Sequence, residues 1–170
     1  RIEYSSVSDL SPLYNNTGIR SLTIQGGNIT SESINSLLSI QTSIESIGIN
    51  DNTSIDEFNL LLPNHFMDMI MIYNTEIESI NLMVDGSTYI DISGNDNLQT
   101  ISGIGDFDIH TMLQIAENES LTSISGSTLS DNYNQSNWQQ DAVYVYGNPL
   151  LTSCCPLGGF PNFIINSFWF

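Results

Sequence analysis

The side chains that could act chemically on a ligand are few. The two histidines, His65 and His110, stand 45 residues apart, and His110 lies next to Asp108 in DFDIHTM. The two cysteines, Cys154 and Cys155, are adjacent, a placement that would strain a mutual disulfide, so free thiols or separate partners are expected. No serine elbow, phosphate loop or zinc-protease helix motif occurs. Glycan cleavage needs a basic residue or paired carboxylates converging on a groove. The chain has no Lys, and its two basic residues are Arg1 and Arg20. A non-catalytic protein is therefore expected, with a carbohydrate-active enzyme working through Asp91 as the remote alternative. The turns NDNTSIDE (50–57) and SGNDN (93–97) gather oxygen ligands and leave calcium as a weak possibility, although neither has the spacing of an EF-hand loop; no other cofactor is expected.

Contact chemistry is better represented, and it follows from a repeat. GNDNLQTISG (94–103) returns as AENESLTSISG (116–126). Six rows share an alternating apolar pair followed by Asn: SLTIQGGN, SIGINDN, MIMIYN, YIDISGN, MLQIAEN and AVYVYGN. Their second apolar residues are Ile24, Ile49, Ile72, Ile92, Ile115 and Val145, spaced 20 to 30 apart, in the range of solenoid coils. Period-two alternation of β-branched residues reads as strands with one buried face. The opposite face then presents Met71, Tyr73, Tyr89, Asp91, Tyr144 and Tyr146, a Tyr- and Met-rich surface suited to binding. Asn28, Asn52, Asn74, Asn95, Asn118 and Asn148 follow the strands, where side-chain amides can ladder from coil to coil and satisfy turn backbone. Five of the rows place further apolar residues after the Asn, at Ile55, Ile77, Leu98, Leu121 and Leu151, then at Phe58, Ile80, Ile101, Ile124 and Cys154, pointing inward around the corner.

The elements that must carry these rows are parallel strands joined by short returns. TSESINSLLSI (30–40) has a capping Thr or Ser, Glu32 early and apolar residues at 34, 37 and 38, and predicts a short helix. SIDEFNLLLPN (54–64) predicts a second, with Ser54 as cap and Pro63 as stop. NLMVDGSTY and SGIGDFDIH predict turns or small extended pieces. The expected organisation is an N-terminal cap (1–18), a solenoid of about six coils (19–155) and an aromatic segment (156–170) whose Phe160, Phe163, Phe168, Trp169 and Phe170 plug the last coil or form an interface. The polar insert STLSDNYNQSNWQQD (127–141) reads as a surface loop or a ligand-contact loop.

The rows L-x-I-x-x-N-x-x-L-x-x-I, the ISGIGDF after Asn95 and the closing GNPLLTSCC resemble leucine-rich-repeat and receptor L-domain families, in the style of bacterial surface-protein modules. The resemblance spans roughly 19–155, and departs from the pattern at IYN and at the 127–141 insert. It implies a secreted or cell-surface recognition or adhesion module binding a protein or glycan. Charge agrees in part: a net −17 argues against nucleic acid and anionic lipid as partners. No apolar run reaches membrane-spanning length, and RIEYSSVSD lacks the apolar core of a secretion signal. Sequons at Asn15, Asn28, Asn52, Asn118 and Asn134 become glycosylation candidates in a eukaryotic secretory pathway. The main rival role is structural, with modules stacking end to end into a fibre through the aromatic tail.

Overall fold

A computed structural model describes residues 2–3, 7–104, 108–126, 142–152 and 163–166, with side-chain environments for 7–104, 112–126 and 144–152. The elements are β1 (Ile2–Glu3), a single 3₁₀ turn (Ser11–Leu13), β2 (Ser21–Gln25), α1 (Ser31–Ile40), β3 (Ser46–Asn50), β4 (Glu57–Tyr73), β5 (Ser79–Ser93), β6 (Thr100–Ser102), β7 (Asp108–Ala116), β8 (Ser123–Ser125), β9 (Ala142–Tyr146) and β10 (Phe163–Asn166). They form a parallel β-solenoid. The front row of strands runs β1-β2-β3-β4-β5-β7-β9-β10, and β6 and β8 extend a second row from β5.

Register is what makes the stack. Ile24 pairs with Ile49, Ile49 with Ile72, Ile72 with Ile92, Ile92 with Ile115 and Ile115 with Val145. Leu22, Ile47, Ile70, Ile90 and Leu113 form a matching file, and all of these side chains are buried. Each strand buries alternate residues against the files above and below, so one aliphatic interior is shared by successive coils. The second row contributes Phe58, Ile80, Ile101 and Ile124, again buried and in register. The expected corner residues Ile55, Ile77, Leu98 and Leu121 are in the same core.

Helix α1 forms where expected. Thr30 Oγ1 accepts from Ser33 N–H, Glu32 lies in the first turn, and Ile34, Leu37 and Leu38 turn inward. The helix expected at 54–64 is instead the first half of β4. Phe58, Leu60 and Leu62 are buried while Glu57 and Leu61 are exposed, a period of two that pairs with Ile80, Leu82 and Val84. The misleading signal is Leu61, an apolar residue on the solvent side that turns an alternation into a run. Pro63 does not stop a helix; it lies where the β4–β5 register shifts, between Leu62 and Phe66, and needs no ladder partner there. The 81–89 return, expected to form turns or small extended pieces, lies wholly within the long strand β5. Ser102-Gly103 shows why the repeat ends in Gly: a Cβ at Gly103, whose φ is +85°, would lie 1.8 Å from the Leu82 carbonyl oxygen of the neighbouring coil.

Candidate functional site

The front strands turn their second face outward in three lines. One runs Thr23, Gly48, Met71, Asp91, Gln114, Tyr144; beside it runs Gln25, Asn50, Tyr73, Ser93, Ala116, Tyr146. The third carries Met69, Tyr89 and Met112. Register therefore sets Met71 beside Asp91, and puts β7, with Gln114 and Ala116, between Asp91 and the Tyr144–Tyr146 pair.

Asp91 organises this face from beneath. It is 5% exposed, so it is not the open ligand-binding carboxylate expected from its outward position. Tyr73 donates its hydroxyl to Asp91 Oδ2 at 2.8 Å and Tyr89 donates to the same oxygen at 3.2 Å. Ser93 Oγ donates to Oδ1, and Gln114 Nε2 lies 3.3 Å from both oxygens. A buried carboxylate surrounded by donors meets the requirement that buried charge be hydrogen-bonded. Burial, then the hydrogen bond to Asp91 and its charge, holds the Tyr73 phenol well above the ordinary tyrosine range. Tyr89 is raised as well, first by burial and then by the charge of Asp91. Tyr73 and Tyr89 are thus fixed neutral rings on a half-buried surface, and Asp91 is a positioning residue. Ser93 and Gln114 are its unforeseen partners; Gln114 stands directly opposite Asp91 in register, a signal the strand alignment contained.

Next to Tyr73 is a cleft of about 340 Å³ lined by Asn50, Tyr73, Asn74, Ser93, Gly94 and Glu117. Asn74, Gly94 and Glu117 belong to a rim column formed by the first residue after each of β2, β3, β4, β5, β7 and β9, and that column is left-handed throughout: Gly26, Asp51, Asn74, Gly94, Glu117 and Gly147 all have φ between +47° and +67°. Their N–H groups carry the ladder one step beyond the strands, as in Gly94 to the Ala116 carbonyl and Glu117 to the Tyr146 carbonyl.

The amide ladder lies one residue further on, a constant three residues after the rung. Asn95, Asn118 and Asn148 are buried there. Asn118 Oδ1 accepts from the Asn95 N–H at 3.0 Å and from Asn95 Nδ2, while its own Nδ2 donates to Ile92 O and Asn148 Oδ1. Asn148 repeats the pattern with Asn118 N–H and Ile115 O. Two expected members do not belong. Asn74 is exposed and sits on the left-handed rim, and Thr75 takes the ladder position in that coil, its hydroxyl and N–H both reaching Asn95 Oδ1. Asn28 is also exposed, because Gly27 occupies the corresponding position three after Ile24. Hydrogen-bonded strands fix the offset rigidly, whereas the turn beyond absorbs insertions, so alignment on Asn itself misplaces both. Asn52 is in position, but its Oδ1 accepts from Ser54 and Ile55 N–H in its own turn, and its buried Nδ2 has no partner.

Burial also separates the sequons. Asn52 and Asn118 are buried and engaged as described, which leaves no room for a glycan in the folded protein, while Asn15 and Asn28 are exposed; Asn134 lies outside the described residues. So do Cys154, Cys155, the 127–141 insert, Phe160, Phe168, Trp169 and Phe170; Phe163 begins β10, without a described side chain, and the same holds for Asp108 and His110 in β7. His65 Nε2 lies 2.6 Å from the Ile44 carbonyl oxygen. At the acidic turns, Asp56 accepts from Ser31 Oγ, and among the described residues no three His, Cys, Asp or Glu side chains gather as a metal site. Among the described residues no helix is long and apolar enough to cross a membrane.

Comparison with known proteins gave no match to a family model, a curated protein or a solved structure.

Proposed function

We propose that this chain is a non-catalytic recognition or adhesion module of a larger cell-surface or secreted protein, of the leucine-rich-repeat or receptor L-domain kind its repeat resembles. It binds a protein or glycan through the outward face of β4, β5, β7 and β9. The observation that supports this reading is the clamping of Tyr73 and Tyr89 on the buried Asp91 carboxylate. Rings held in place before contact lose little entropy on binding, and a rigid sheet is a good support for them. Tyr144 and Tyr146, half-buried on β9, extend the same face.

Binding on a protein and glycan array is expected to fall by at least about tenfold for Tyr73→Ala combined with Tyr144→Ala, with the urea transition retained. Undiminished binding by a folded double variant would show that the face is wrongly assigned. Glycan turnover abolished by Asp91→Asn would instead favour the enzyme.

End-to-end assembly is the second reading. It is supported by β1 and β10, which continue the parallel register at the two ends of the front row. Sedimentation that shows concentration-dependent polymers, lost on deletion of 160–170, would favour it.

A further inference from the structure

We infer that the cleft beside Tyr73 receives a cationic side chain, lysine or arginine, from a basic segment of a protein partner. The inference rests on the recognition reading above and narrows it to one ligand chemistry. Gly94 forms the notch: a Cβ there would lie 2.7 Å from Asn74 Oδ1, so the missing side chain is what lets the Asn74 amide oxygen lean over this corner beside the cleft. Tyr73 supplies an aromatic wall. Its hydroxyl donates to Asp91, which fixes the ring and enriches its π face with electron density, the property that attracts a cation.

Glu117 supplies the charge, and its placement is the most telling feature. At φ +55° it occupies a column otherwise filled by Gly26, Gly94, Gly147, Asn74 and Asp51, residue types that tolerate this conformation. The conformation lets the Glu117 N–H reach the Tyr146 carbonyl, but Gly, Asn or Asp would do so at less cost, and the Glu117 carboxylate hydrogen-bonds to no described residue. A strained residue type whose charged group has no structural partner is a candidate functional position. Asn50 and Asn74 offer side-chain oxygens alongside.

No Lys or Arg side chain lines the cleft to attract an anion. Among the described residues the one Arg or Lys is Arg20, 3.0 Å from Glu45 on another coil. The net charge of −17 draws cations toward the whole surface and speeds their encounter. A neutral sugar could stack on Tyr73 and donate hydroxyls to Glu117, but would leave the Glu117 charge uncompensated.

The test is an NMR titration of the intact chain with hexalysine and, separately, with maltohexaose, following the Tyr73, Gly94 and Glu117 signals. Hexalysine should shift all three, and its affinity should fall about tenfold with Glu117→Gln. Asp85→Asn, an equal charge change at an exposed site outside the cleft, should leave affinity within about twofold, since it changes only the screened long-range field. Equal losses in the two variants would reduce the effect to overall charge and overturn the inference. Shifts from maltohexaose alone would overturn it too, while leaving the outward face intact as the binding surface. Failure of the Tyr73→Ala, Tyr144→Ala array experiment is a separate result that would remove the face itself.

Discussion

The early coils and the late coils solve the same corner differently. From Asn95 onward the front strands β5, β7 and β9 are each followed by a buried Asn, and Asn95, Asn118 and Asn148 form one hydrogen-bonded chain in which every side-chain amide is paired. In the first three coils the same positions hold Gly27, Asn52 and Thr75, and the run is broken. The consequence is visible at Asn52. In the late coils a ladder Nδ2 donates to the Oδ1 of the next Asn; at Asn52 the next residue is Thr75, and the amide is left buried without an acceptor. In the late coils each ladder amide reaches the rung carbonyl of the preceding coil, and Asn95 and Asn118 also reach the Oδ1 of the next Asn, so the bonds run on from coil to coil. The early coils compensate locally. Asn52 caps its own turn, and Gln41, buried after α1, donates to the Leu13 and Tyr14 carbonyls.

The contrast is most sharply broken by truncation. Asn118→Ala should cost about 2–4 kcal/mol in urea unfolding, because it strands the buried Asn95 N–H and removes the donor to the Ile92 carbonyl, while Asn95 Nδ2 keeps the Ile72 and Ser93 carbonyls. Asn52→Ala should cost only about 1 kcal/mol, since the lost turn bonds are partly offset by removing an orphaned donor. Equal losses would mean that the two halves do not differ. Repair is the next largest effect. Thr75→Asn should restore the missing rung, giving Asn52 N–H and Nδ2 an acceptor, and raise stability by about 1 kcal/mol; a loss would show that the coil cannot admit the amide.

A smaller gain, about 0.5–1 kcal/mol, is expected for Glu117→Gly, which relieves the left-handed strain at the rim. Combined with weaker hexalysine binding, that gain would be the signature of strain held for function. The outward face provides the last and smallest test. The folded chain holds the Tyr73 and Tyr89 protons above the ordinary phenol range. The stability they contribute is therefore present below about pH 10 and is lost as pH rises beyond it, when the unfolded chain releases protons the folded chain keeps. Ultraviolet titration should show these two tyrosines ionising above the ordinary phenol range, and Asp91→Asn should lower both.

The rungs were legible because period-two alternation is dictated by the strand itself. Ile24 through Val145 could be placed in one file from their spacing, and the structure pairs them so. The first return was legible from Thr30, Glu32 and Leu37. The second was not: Leu61 broke the alternation in FNLLL, and only pairing with β5 decides for strand. The ladder was legible at Asn95, Asn118 and Asn148, three after their rungs; it was misplaced at Asn28 and Asn74, where a turn residue imitates it, and Asn52 has the position without the ladder bonds. The burial of Asp91 required the geometry of three strands, since its donors come from β4, β5 and β7. The Gly94 notch was hidden for a related reason: a gap is made by what its neighbours leave open.

The stacked amides can be examined most directly by side-chain hydrogen exchange. In a ¹⁵N-labelled sample, the Nδ2 protons of Asn95 and Asn118 should exchange only through unfolding, orders of magnitude more slowly than those of exposed Asn74, with methyl contacts linking Ile72, Ile92 and Ile115 in sequence. Exchange of all three amides at the same solvent-like rate, in a chain that is otherwise folded, would contradict a shared interior closed by an asparagine ladder.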